Sequence, residues 1–289
     1  MTETSNGNVP AGTHGSAAEA AVSQRARTAM KSFRLATPDA WSAPTRSGPS
    51  EGLRAGLRHH LLAGETHYPD RPGMGELRRR VGEALLRVGF PAREPDGVLI
   101  TQGEGESLFA TLLGLGGGEG AVIVASPGGR HQRLLDWMRA RVIEPGADAP
   151  PGAEAAFQLI EYEAGAAILE NGNASPDLGI PRVHAIGDRL FATGDSPNSS
   201  ASSTTHGAPS SAWDSGAGLS VPGDPDPDLA DAIVIGSLDG LEGMHPFSLG
   251  FVAAPVAVRP RIAKWKQASS ICSPAPSQRA ALWALGVRP

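Results

Sequence analysis

Ile235-Gly-Ser-Leu-Asp-Gly-Leu-Glu-Gly-Met-His-Pro-Phe-Ser-Leu-Gly-Phe-Val-Ala-Ala-Pro255 is the stretch on which the fold reading turns. One apolar run, 232–235, enters it and a second, 249–253, leaves it, while the Gly, Asp and Pro residues between them read as loop. Short uninterrupted apolar runs of this kind predict strands covered on both faces, because a strand with one wet face alternates apolar and polar residues instead.

The same pattern recurs outward along the chain, at 98–101, 121–125, 157–162, 166–169 and 183–186, giving seven strand candidates. Helical patterns alternate with them. The 3.6-residue period predicts a helix over 74–88, with Leu77, Val81, Leu85 and Leu86 on one side and Arg78 to Arg80 largely exposed, and another over 104–115. Two more follow the last strand, at 259–268 and at 277–285, where Ser277 after Pro276 is the expected N-cap. Strands alternating with helices define an α/β domain.

Two tracts stand outside this pattern. Residues 1–30 are rich in Ala, Ser, Thr, Gly and Asn without periodic apolar positions, and read as a disordered arm. Residues 195–228 hold nine serines and no Lys or Arg, and read as a mobile surface insertion in a domain spanning 31–289. Their acidic end, Gly223-Asp-Pro-Asp-Pro-Asp228, lacks the ligand spacing of an EF-hand.

Composition narrows the function. The 289 residues carry 25 basic and 30 acidic side chains, net −5, without the basic patch that nucleic acid requires. No apolar run reaches the roughly 18 residues of a membrane span, and the first 30 residues show no export signal. Cys272 stands alone, which excludes an internal disulfide or cysteine metal cluster and fits a reducing, cytoplasmic setting. The only lysines are Lys31, Lys264 and Lys266.

Gly103-Glu-Gly-Glu-Ser107 follows a predicted strand and opens a helix, which presents backbone N–H groups and a positive dipole end to an anion. A plain tight turn accounts for the same residues equally well. Glu104 and Glu106 would repel a phosphate if they pointed inward. Gly116-Gly-Gly-Glu-Gly120 precedes a strand instead of following one, so it is not a dinucleotide fingerprint. His59, His60 and His67 lack the i, i+4 spacing of a helical zinc site, and no metal centre is expected.

Taken in order, these segments resemble the large domain of the class I/II aminotransferases, the fold-type I enzymes dependent on pyridoxal phosphate. Tyr68-Pro-Asp-Arg-Pro-Gly-Met-Gly-Glu-Leu-Arg78 resembles the family's entry segment. Leu99-Ile-Thr-Gln-Gly-Glu-Gly-Glu-Ser-Leu108 resembles its phosphate-cradling turn, and Ala121-Val-Ile-Val-Ala-Ser-Pro127 the next strand with its proline. The 235–255 stretch resembles the active-site segment, and Ser273-Pro-Ala-Pro-Ser-Gln278 the turn into the following helix.

The resemblance implies a three-layer domain with a mixed, mostly parallel seven-stranded sheet. It also implies cofactor contacts from Gly103, Gly105, Ser107, Asp188, Ser237 and Tyr68, the last reaching a neighbouring subunit's site. Yet the position of the Schiff-base lysine is Gly240, that of the phosphate-binding arginine is Ser248, and that of the ring-stacking aromatic is Gly129. Phe191 stands where a tyrosine is expected, and the family's Asn-containing stretch survives only as a remnant in Asn171-Gly-Asn-Ala-Ser-Pro176. The chain ends at Pro289, before the family's small domain with its substrate-carboxylate arginine.

The expectation is therefore a diverged aminotransferase-like protein without catalytic residues for autonomous transamination and with a weakened hold on pyridoxal phosphate. It would form a homodimer, or a heterodimer with an active homologue. Two rival readings are an enzyme that retains pyridoxal phosphate and acts on an amino acid, and a cofactor-free enzyme using Asp239, His245 or His131 as acid or base.

Overall fold

The computed structural model describes residues 49–91, 93–126, 128–147, 155–162, 180–191, 229–241 and 243–287. The arm at 1–30, the insertion at 195–228, the strand expected at 166–169 and the Asn171–Pro176 remnant lie outside them.

Helix α1 (Glu51–Leu62) opens after Ser50, whose Oγ accepts the Leu53 amide at 3.2 Å and so satisfies one of the N–H groups a helix start leaves over. Helix α2 (Gly75–Arg87) is amphipathic: Leu77, Val81 and Leu85 are buried as expected, Leu86 is exposed instead, and Glu76, Arg79, Arg80 and Glu83 form ion pairs one turn apart on the other side. Arg78 departs from the expected exposure. It is buried, and its guanidinium donates to the Gly73 carbonyl at 3.0 Å and the Pro95 carbonyl at 2.6 Å.

Strand β1 (Val98–Thr101) leads into α3 (Gly103–Gly114), followed by β2 (Val122–Val124), α4 (Gln132–Trp137), β3 (Arg141–Ile143), β4 (Ala155–Glu161) and β5 (Arg182–Ala185). Strands β6 (Ile233–Ser237) and β7 (Gly250–Ala253) flank the diagnostic segment, and helices α5 (Arg259–Ser270) and α6 (Ala275–Ala284) close the described chain. The seven strands form one sheet in the order β1-β7-β6-β5-β4-β2-β3. Only β7 runs against the others: it pairs antiparallel with both β1 and β6, and every other pairing is parallel. The sheet is thus mixed, mostly parallel and seven-stranded, as expected.

Alternation within the strands explains why both faces must be covered. Val98, Ile100, Val234, Phe251 and Ala253 turn to one face, where α1, α2 and α6 contribute Leu53, Leu77, Val81, Leu85 and Leu282. Leu99, Ile233, Ile235 and Val252 turn to the other, against Leu108 and Leu112 of α3 and Ile262 of α5. A sheet with apolar side chains on both faces needs two helical layers to keep water away.

Three boundaries differ from the sequence reading. The short edge strand β3 was not expected, because only three residues of it pair and they are partly exposed. Helix α1 was not expected either. The last helix starts at Ala275 with Pro274 as its N-cap residue, so Ser277 lies inside the first turn and Pro276 fills a position that needs no N–H donor.

Candidate functional site

In an open sheet with parallel strands, the carboxyl ends face a crevice into which the following loops and helix starts project. Here that edge is formed by Thr101, Glu161, Ala185 and Ser237, at the ends of β1, β4, β5 and β6. Helix α3 begins directly after β1, and its approach is close. Gly250, the partner of both Thr101 and Ser237 across the ladders, sits so near the start of α3 that a Cβ on it would overlap the Gly103 backbone. Gly103 itself has φ +80°, a left-handed backbone that glycine adopts without a steric penalty. Gln102 is the N-cap residue.

The predicted residues separate into three groups. Gly103, Ser237 and Asp188 converge on the crevice: Ser237 donates its amide to the Gly187 carbonyl at 2.8 Å, and Asp188 follows immediately. Ser107 is fully buried and turned inward, its hydroxyl 2.7 Å from Thr101 Oγ1 and 3.1 Å from the Gly103 carbonyl. Gly105 is exposed in the first turn of α3, and Tyr68 is 83% exposed in the segment between α1 and α2. The Ser237 hydroxyl accepts the Asp239 amide at 3.0 Å, tying the turn that carries Gly240 back to its strand. Gly240 is half-buried in that turn, and Ser248 is exposed with φ +46° at the entry to β7. Phe191 is buried in the core, where a hydroxyl is absent and none is needed.

Between these groups lies a charged network that the sequence reading did not assemble. Glu104, in the first turn of α3, points across the crevice and accepts the Gly187 amide at 2.8 Å. Arg130 clasps it with two donors, at 3.1 and 2.9 Å, and also donates to the backbone carbonyls of Tyr162 and Ala185. His131 lies between two carboxylates, with Nδ1 2.5 Å from Glu161 and Nε2 3.4 Å from Glu104, and its amide also donates to Glu161 at 3.1 Å. Three of these groups are largely withdrawn from water, the side chains of Glu104, His131 and Glu161 being 12, 9 and 15% exposed, while Arg130 is 36% exposed.

Electrostatics bind the network together. Burial raises the Glu104 carboxyl, but hydrogen bonds from His131 and Arg130 and their charges outweigh it and bring the group to about 2. Burial likewise raises Glu161, yet the His131 hydrogen bonds carry it below the ordinary carboxylate range. His131 responds in the opposite sense. Burial pushes it down and its two carboxylate partners push it further up, so the imidazolium is favoured. With His131 charged, two cations face two anions.

Gly129 allows this arrangement. A Cβ there would overlap the Glu161 carboxylate, so any larger residue would displace Glu161 from His131. Arg130 and Glu161 escaped the sequence reading because they come from loops and strands 31 residues apart. The available signal was Gly129, where the resemblance places an aromatic, followed by Arg130 and His131.

Elsewhere, His245 Nδ1 lies 3.6 Å from Asp239 Oδ2 in the loop between β6 and β7. Lys264 is exposed on α5. Lys266, expected to face solvent, is instead 1% exposed, and its Nζ has no hydrogen-bond partner among the described residues. Burial lowers its affinity for a proton, opposed by Glu106. Glu106 and Glu104 are two residues apart, hence about 200° apart around α3, so the carboxylate that acts on Lys266 points away from the one in the network.

The mixed, mostly parallel seven-stranded sheet with its helices matches the fold of the aminotransferase large domain. Solved structures with this fold include an aminotransferase from Mycobacterium tuberculosis, 20% identical, with a TM-score of 0.58 over 84% of this chain and 66% of that one. A tetra mutant of Thermus thermophilus aspartate aminotransferase complexed with tryptophan is 17% identical, with a TM-score of 0.61 over 84% of this chain and 63% of its own. An aromatic aminotransferase from Pyrococcus horikoshii is 15% identical, with a TM-score of 0.60 over 83% and 65%. At these identities the likeness establishes the fold, and this chain spans about two thirds of their length. No protein-family model matches the chain, and no curated protein sequence does.

Proposed function

We propose that this chain is a diverged aminotransferase-like protein without autonomous transaminase activity, serving as a non-catalytic subunit or partner, in a homodimer or beside an active homologue. The observation that carries the reading is Gly240. It lies in the turn after β6, at the carboxyl edge where the resemblance places the Schiff-base lysine, and it has no amine. Transamination through pyridoxal phosphate needs a covalent amine at that point, and removing one member of a cooperating catalytic set costs orders of magnitude in rate. Neither remaining described lysine stands at that turn, since Lys264 is exposed and Lys266 buried on α5, 24 and 26 residues beyond Gly240.

The donor set for pyridoxal phosphate is also reduced. Ser248 replaces a bidentate arginine, and the Ser107 hydroxyl is committed to Thr101. The exposed Tyr68, with Leu62 77% exposed nearby in the chain, supports a partner surface on that side. Cys272, buried and free, fits a reducing compartment such as the cytoplasm. Among the described residues no helix is long and apolar enough to cross a membrane.

The test is an absorption spectrum with added pyridoxal phosphate, borohydride reduction and peptide mapping. The expected result is no stoichiometric lysine adduct and no amino-acid turnover. An adduct on Lys264 or Lys266 accompanied by turnover would overturn the proposal. Co-purification with an aminotransferase homologue in a defined ratio is the expected sign of the heterodimer.

A further inference from the structure

We infer that Glu104, Arg130, His131 and Glu161 form an intramolecular plug, which fills the crevice at the carboxyl edge of β4 and β5 and excludes pyridoxal phosphate even as a non-covalent ligand. The inference rests on the reading above that this crevice descends from a cofactor site, and it goes further. Loss of the lysine alone would leave a cleft able to bind the cofactor without bonding to it. The network removes that option.

Three observations carry it. The Glu161 carboxylate occupies the space beside Gly129, at the position where the resemblance places a ring-stacking aromatic, so that space is already taken. Glu104 projects from the first turn of α3, where a phosphate would need donors, and puts a negative charge there instead. Arg130 would be the obvious guanidinium for a phosphate in a crevice without the usual arginine. It is consumed instead by both oxygens of Glu104 and by the Tyr162 and Ala185 carbonyls. A phosphorylated pyridine would have to displace two charge-assisted carboxylate contacts before making its own.

Every member of the plug is also satisfied within it. The Gly187 amide closes the arrangement by donating to Glu104, so the end of β5 is fastened to the start of α3 by a side chain. A ligand-holding site with its ligand absent leaves donors facing an opening. Here the cationic donors already have anionic partners, two against two.

The experiment measures binding of pyridoxine 5′-phosphate, which lacks the aldehyde, by calorimetry on the full chain. It compares the natural protein with the Glu104→Ala/Glu161→Ala variant and with the milder Glu104→Gln/Glu161→Gln variant, whose fold is checked by circular dichroism. The expected result is no saturable binding by the natural protein and saturable binding by a folded variant with a Kd at least about tenfold below the highest ligand concentration titrated, since Arg130 is then released to the phosphate. Equal binding by the natural protein and the variants would overturn the inference, and so would absence of binding by folded variants. Because this ligand cannot form a Schiff base, either failure leaves the borohydride result, and with it the proposed loss of transamination, to stand or fall separately.

Discussion

Glu104→Gln keeps the shape of the side chain and removes its charge, which isolates the electrostatic part of the crevice network. In the folded protein the Glu104 carboxyl lies at about 2, against an ordinary value of 4.5. A depression of that size corresponds to roughly 3 kcal/mol of stability at pH values where the carboxylate is ionised in both folded and unfolded chains. The Glu104 side chain is 12% exposed and its Arg130 partner 36%, so solvent screening trims this figure on the arginine side. The sign follows from the direction. A lowered carboxyl contributes fully above 4.5 and loses its contribution as pH falls towards 2. His131 is raised above 6.5, so its contribution is present below 6.5 and is lost as pH rises through its higher folded value. The network is therefore fully engaged between about pH 4.5 and 6.5.

Urea unfolding at pH 5.5 should show the variant less stable by roughly 3 kcal/mol, and the gap should shrink by about 1 kcal/mol on going to pH 3.5. A gap below about 0.5 kcal/mol, the range of a screened surface pair, would refute the reasoning. So would a gap that does not change with pH, because that would trace the loss to the amide's fit and not to charge.

Lys266→Met should stabilise the protein by about 1 kcal/mol or more at neutral pH, since a buried ammonium with no hydrogen-bond partner among the described residues gives way to an apolar chain of similar length. Because the lysine is lowered from 10.5, the gain should diminish towards pH 10.5, and thermal melts at pH 7 and 10 check both parts. Gly56→Ala should destabilise by about 1–3 kcal/mol despite alanine's better helix propensity, because the new Cβ overlaps the Trp283 indole where α1 meets α6. A melting temperature at or above that of the natural protein would show that Trp283 can move aside.

Much of the fold was legible along the chain because its strands are uninterrupted apolar runs. Val98 to Thr101, Val183 to Ala185 and Gly250 to Ala253 are buried at every position, and no other element type packs so short a run on both sides. Gly103, the first residue of α3, was legible too, as a glycine in a tight strand-to-helix turn. Edge strand β3 was not, because three half-exposed residues carry no pattern. Helix α1 was missed as well, although Leu53 and Gly56 mark its buried side against α6.

What the sequence determined by itself was which side chains stand where the resemblance places the family's groups: no packing can put an amine at Gly240, a guanidinium at Ser248 or an aromatic ring at Gly129. Which charged side chains gather at that edge was decided only by tertiary structure. Glu104, Arg130 and His131, and Glu161 belong to three segments that are strangers in the chain, and the parallel sheet brings the end of β4 and the starts of α3 and α4 to one edge. Lys266 makes the same point in reverse. Its charge predicts solvent, while the contact between α3 and α5 buries it, because burial is a property of the neighbours and not of the residue.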